Sequence, residues 1–173
     1  MRNSTRLAFV GAAFAALSFG SAANAATATA DATAVILSTL TITADSALDF
    51  GTIAVNSAGT AVVSANGLGN SCTATALICG GTRAPAVFTI TGAADIGVSV
   101  TLPTTNSTLT YVGWTGVGAA PTMTLSAFTS YFPSGSTLVL GETTVNVGGS
   151  LAVGATQAPG TYEGTFDVSA QYQ

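Results

Sequence analysis

Residues 160–173 read Gly160-Thr161-Tyr162-Glu163-Gly164-Thr165-Phe166-Asp167-Val168-Ser169-Ala170-Gln171-Tyr172-Gln173. Laid out as an extended chain, they place Tyr162, Gly164, Phe166, Val168, Ala170 and Tyr172 on one face and Glu163, Thr165, Asp167, Ser169 and Gln171 on the other. A side-chain period of two with one apolar face is the pattern of a half-buried β-strand. Unpaired chain ends usually drift to polar, disordered sequence, whereas here the apolar positions recur up to the penultimate residue. The stretch from Gly160 to Tyr172 is therefore expected to be an edge strand that something covers. A subunit that pairs strands with its neighbours is the reading that follows.

A second regular stretch lies near the other end. Residues 26–36 set Ala26, Ala28, Ala30, Ala32, Ala34 and Ile36 on one face and Thr27, Thr29, Asp31, Thr33 and Val35 on the other. This predicts an extended N-terminal segment, a candidate donor strand for a neighbouring molecule. The same letters also read as a low-complexity Ala/Thr linker.

Between these ends, strand patterns fall at 37–43, 48–55, 60–65, 86–91, 97–102, 107–111, 122–129, 137–140 and 143–147, and the last runs over 161–172. Turn signals separate them at Asn66-Gly67, at Pro103-Thr104-Thr105-Asn106, at Phe132-Pro133-Ser134-Gly135 and at Gly148-Gly149. Many short alternating strands with Gly-rich turns predict an all-β sandwich or barrel. No helical period is sustained over three turns, and no repeat of fixed length is present.

Residues 1–25 carry Arg2 and Arg6, an apolar run from Leu7 to Phe19, and small residues ending at Ala23-Asn24-Ala25. This is the layout of a secretory signal peptide, and its apolar run is too short for a membrane-spanning helix. The expected organisation is a cleaved signal peptide at 1–25, the N-terminal extension at 26–36 and one domain at 37–173. The product is expected at the cell surface or outside the cell after transient residence in the periplasm.

After cleavage Arg83 stands alone against seven acids, a net charge of −6. Nucleic acid is excluded as a partner, because phosphate binding needs clustered Lys and Arg. Cys72 and Cys79, in an exported chain, predict one disulfide. It would close a loop of eight residues and contribute roughly 2.5 kcal/mol on the chain-entropy account.

Catalytic chemistry finds few parts. The chain has no His and no Lys, so the usual activators of Ser, Thr or Cys nucleophiles are absent. Two cysteines cannot complete a tetrahedral zinc shell. Glu163 and Asp167 share a face but stand four residues, roughly 13 Å, apart on the polar side of their strand, which reads as a solvated face. Asp45 and Asp49 lack the ligand density of a calcium loop. Trp114 reads either as sheet packing or as a stacking surface for a sugar ring. No enzyme activity, metal or cofactor is expected.

Three groups of residues carry a resemblance: Leu48-Asp49-Phe50-Gly51-Thr52-Ile53; Val87-Phe88-Thr89-Ile90-Thr91-Gly92 followed by Val100-Thr101-Leu102-Pro103; and Gly148-Gly149-Ser150-Leu151 through Pro159-Gly160-Thr161-Tyr162-Glu163-Gly164-Thr165-Phe166. On these, residues 26–173 resemble an exported bacterial family catalogued as domain of unknown function 4402. More loosely, the layout is similar to pilins of the chaperone/usher pathway, with an alternating N-terminal extension, Gly160 fourteen places from the end and Tyr172 next to last.

That second likeness implies an immunoglobulin-like, Greek-key sandwich with an apolar groove along a sheet edge. It further implies head-to-tail self-assembly by strand addition, escorted by a periplasmic chaperone and an outer-membrane usher. Two alternatives stand beside this fibre subunit. One is a non-polymerising surface or matrix protein that folds 26–36 onto its own sheet. The other is a small outer-membrane β-barrel.

Overall fold

A computed structural model describes residues 26–173; the signal peptide expected at 1–25 lies outside the described residues. The compact unit runs Ile36–Gln173. Twelve strands were found among the described residues: β1 (Thr41–Ser46), β2 (Thr52–Val55), β3 (Gly59–Val63), β4 (Ser71–Cys72), β5 (Leu77–Gly80), β6 (Ala86–Thr91), β7 (Val98–Thr101), β8 (Ser107–Tyr111), β9 (Thr122–Tyr131), β10 (Glu142–Val153), β11 (Tyr162–Glu163) and β12 (Ser169–Tyr172). The fold is the expected all-β sandwich.

One layer is an eight-stranded sheet in the order β1-β6-β10-β9-β8-β11, with β3 paired to β10 and β4 to β3. The pairs β7–β12 and β2–β5 form two smaller sheets. The order β1-β6-β10-β9 facing β7-β12 matches strands A, B, E, D and C, F of an immunoglobulin sandwich. The large sheet is open, with β1 and β11 at its two ends, so it does not close into the barrel held as an alternative.

The central strand β10 organises both halves. Its odd-numbered residues Thr143, Val145, Val147, Leu151 and Val153 are buried on one face. Its first half pairs with β6, from Glu142↔Thr91 to Val147↔Ala86. Its second half pairs with β3, from Gly149↔Val63 to Val153↔Gly59. The change of neighbour falls at Gly148-Gly149, which the sequence reading had marked as a turn and which proves to be strand interior. Gly148 is required there because a Cβ would run into the Val63 carbonyl and the Ala65 amide as β3 leaves the sheet. On the other side of β10, the register with β9 shifts between Gly148 and Ser150, and Ala127 takes φ 51° in the bulge.

Two core clusters follow from this division. Ile90, Val98, Leu138 and Val145 are packed by Leu40, Ile42, Phe88, Val100, Phe132, Ala170 and Tyr172, which joins the β7–β12 pair to the large sheet. Phe50, Ala61, Val63, Ala76, Leu77, Leu125, Leu151 and Val153 form the other cluster, beneath β2 and β5. The Cys72–Cys79 disulfide is present, with Cα atoms 6.4 Å apart. It does more than pin a local loop, since it ties β4 of the large sheet to β5 of the small β2–β5 sheet.

Other boundaries moved for identifiable reasons. The first strand begins at Thr41, not at 37, because its partner β6 ends at Thr91 and the chain then turns at Gly92, whose N–H donates to the Gly141 carbonyl. Residues 137–140 are not a strand. Backbone bonds from the Val139 N–H to the Thr137 carbonyl and from the Gly141 N–H to the Leu138 carbonyl curl them into a corner. That corner drives Leu138 into the core at 0% exposure.

Candidate functional site

The C-terminal stretch keeps its predicted alternation except at Gly164, which is exposed, but it is not one edge strand. Tyr162, Phe166, Val168, Ala170 and Tyr172 are half-buried, and Glu163, Thr165, Asp167, Ser169 and Gln171 are exposed. Its pairing changes along its length. Tyr162 and Glu163 pair with Tyr111 and Thr110 at the edge of the large sheet, whereas Ser169 to Tyr172 pair with Thr101 to Val98 in the smaller sheet. Residues 164–168 cross between the layers and form no strand. The crossing is anchored by Phe166, whose ring lies 5.0 Å from that of Phe128 and 6.2 Å from that of Phe88.

Two glycines permit the close packing that begins this crossing. A Cβ on Gly164 would enter the Thr108 carbonyl, and one on Gly160 would enter the Tyr111 ring. The Tyr162 hydroxyl donates to the Ala158 carbonyl and accepts from Gln157 Nε2, each at 2.7 Å.

The main chain of this segment has an open side. Gln173 N–H donates to the Gly97 carbonyl at 2.9 Å. In an antiparallel ladder the bonded pairs alternate, so Gln171 and Ser169 also face β7 while the N–H and C=O groups of Ala170 and Tyr172 point away from it. That outer edge of β12 carries no strand among the described residues. In the immunoglobulin order a seventh strand lies there. Across the sandwich, among the described residues, β1 pairs only with β6, and β2 only with β5.

Beside the open edges of β1 and β2 runs an apolar groove, faced on its other side by residues 157–166. Its inner part, about 560 Å³, is walled by residues 44–48, Phe50, Ala86, Phe88, Leu109, Leu125 and residues 162–166. Its outer part, about 650 Å³, is walled by residues 48–55, Leu109, Met123, Leu151, Val153 and residues 157–162. The two share Leu48, Phe50, Leu109 and Tyr162 and so form one channel. Phe88 stands opposite Val145 on β10, and Val153 lies eight residues further on. The channel therefore matches about eight residues of extended chain, or about 26 Å.

The motif Leu48-Asp49-Phe50-Gly51 builds the groove's shared wall. Leu48 and Phe50 point into it. Asp49 Oδ1 accepts the Gly51 N–H at 2.7 Å and its backbone pairs with Ala84. Gly51 takes φ 67°, and a Cβ there would strike the Gly80 carbonyl. These wall residues were missed as site residues in the sequence, although the motif itself was conspicuous; nothing local says that Leu48, Phe50, Leu109 and Leu125 meet.

The remaining candidates are placed as follows. Ala26, Ala28, Ala30, Ala32, Ala34 and Ile36 are exposed, and residues 26–40 form no strand. Asp45 accepts a hydrogen bond from Thr89 Oγ1 at 2.6 Å. Glu163 and Asp167 are exposed. Trp114 is half-open, with its ring edge-on to Tyr111 at 5.4 Å.

A family model described as Domain of unknown function (DUF4402) matches residues 40–172. No curated protein and no solved structure matches the chain.

Proposed function

Starting from the premise that the chain belongs to the DUF4402 family, whose description names no activity, we propose that it is a structural subunit of a cell-surface fibre assembled by strand addition. Residues 26–36 of one copy occupy the groove of the next. The observation that carries this reading is the apolar groove flanked by unpaired main chain, in a domain preceded by an alternating segment that forms no strand.

The energetics favour main chain over side chains as the source of affinity. Alanines fill pockets poorly, at about 0.8 kcal/mol per buried CH₂. A segment laid along the open edges of β1 and β2 instead gains backbone hydrogen bonds, each worth about 0.5–1.5 kcal/mol net. Donor and groove are different surfaces, so the contact is head-to-tail and propagates. Bare edges of this kind invite aggregation, which is why a periplasmic chaperone would cover the groove before an outer-membrane usher passes the subunit on.

The test is deletion of residues 26–34. The expected result is loss of a denaturant-resistant ladder of oligomers while the domain still folds; intact filaments would refute the donor assignment. The non-polymerising surface protein is the second reading, favoured by the internal tie between Tyr172 and Ser38. A single monomer peak from the undeleted chain would select it.

A further inference from the structure

The domain has two poles, and β10 measures the distance between them. Glu142, at its start, lies opposite Thr91, which lies opposite Thr41. Ser38, Tyr172 and the 92–98 and 136–141 loops are bonded together at this upper pole. At its other end Val153 lies opposite Gly59. Ala152 lies opposite Thr124, and the adjoining Thr122 lies opposite Thr110 on β8. The groove opens at this lower pole, where residues 157–162 and Val153 wall it.

Each pole presents an apolar corner held rigidly in solvent. At the upper pole Leu140 is 94% exposed and Val139 is also exposed. Leu140 takes φ 55°, a conformation in which a bulky apolar residue is uncommon. The corner is fixed by the buried Leu138, whose N–H donates to the Ile96 carbonyl and whose carbonyl accepts from Asp95 N–H. At the lower pole Val112 and Val117 are exposed beside Trp114. Trp114 lies so close over Gly116 that a Cβ there would enter the indole ring. A solvent-only corner has no use for Leu at a positive φ, and paired apolar patches rimmed by polar residues mark contact surfaces.

We infer that Val139 and Leu140 of one copy dock against Val112, Trp114 and Val117 of the next, forming a second contact that stiffens the fibre; this rests on the strand-addition reading. The tether argues for the geometry. With Ile36 at the mouth of the neighbour's groove, Ser38, whose carbonyl is bonded to Tyr172, is only two positions further along the chain. Two residues span at most about 7 Å. The upper pole of the donor copy is therefore drawn onto the lower pole of the acceptor, bringing the two apolar corners face to face.

The test uses the full chain with Leu140→Lys, with Val117→Glu, and with both together, alongside a labelled synthetic peptide of residues 26–38. Both side chains are exposed, so neither substitution threatens the fold. Each single variant is expected to weaken association between copies about tenfold by leaving a charge in an apolar contact, and the pair is expected to restore it. Peptide binding by the chain refolded in its presence should stay within about twofold throughout, because the peptide lacks the upper pole. Wild-type fibres from both single variants, or disruption that the pair fails to rescue, would overturn the pole contact while leaving strand addition intact. Failure of the unmodified chain both to bind the peptide and to assemble would overturn strand addition, and this contact with it.

Discussion

The Tyr172 hydroxyl donates to the Ser38 carbonyl at 2.9 Å and accepts the Ala93 N–H at 2.7 Å, joining positions 134 residues apart. The next-to-last aromatic residue is thus an internal clamp on the start of the first strand. Gly92 makes room for it, since a Cβ there would run into the same hydroxyl. Tyr172→Phe keeps the ring in its cluster with Ile90 and Val98 but strips Ala93 and Ser38 of their partner. We expect a loss of about 1–3 kcal/mol, read as a lower urea midpoint with an unchanged slope.

The disulfide joins two sheets, so its removal should loosen more than eight residues. Cys72→Ser with Cys79→Ser is expected to cost about 2.5 kcal/mol. Hydrogen exchange should show the amides of β2 and β5 losing protection first, ahead of β6 and β10. Uniform loss across all strands would contradict the staple between layers.

Gly148 and Gly149 should respond differently to the same methyl group. At Gly148 the obstacles are backbone atoms of Val63 and Ala65, which cannot step aside, so Gly148→Ala is expected to cost about 3 kcal/mol, the upper end of overpacking. At Gly149 the nearest atom is Leu125 Cδ1 at 3.1 Å, the tip of a side chain that needs to give by only a few tenths of an ångström. Gly149→Ala should therefore cost about 1 kcal/mol. Thermal denaturation of the two variants side by side checks the ranking.

The donor assignment makes Ile36 the largest side chain offered to the groove. It is 94% exposed in its own domain, so Ile36→Asp should leave the fold untouched and abolish assembly. Ala32→Val should act in the opposite sense, filling space that alanine leaves and raising the denaturant concentration at which oligomers dissociate. Sedimentation of the variants at matched concentration reads both effects, and an unchanged oligomer distribution for Ile36→Asp would count against the donor.

Some strands were legible because their signal is local. The pattern of 86–91 and of 107–111 fixed β6 and β8 to the residue, and the alternation from Tyr162 to Tyr172 held at every position but Gly164, which is exposed. Others were not. Ser71–Cys72 and Leu77–Gly80 are too short to show a period, and they are strands only because β3 and β2 lie beside them. Residues 137–140 have strand composition, yet a buried Leu138 and two tight backbone bonds curl the chain there.

What the sequence by itself determined is the all-β class, the disulfide, and which side chains of the C-terminal stretch from Phe166 to Tyr172 turn inward, because alternation and turn chemistry act between neighbours in the chain. Tertiary structure alone decided that Gly148-Gly149 is a junction within β10 and that the last fourteen residues serve two sheets. It also decided that Leu48, Phe50, Leu109 and Leu125 wall one groove. Those outcomes depend on which distant strand supplies the hydrogen-bond partner, and no local pattern encodes the identity of a partner a hundred residues away.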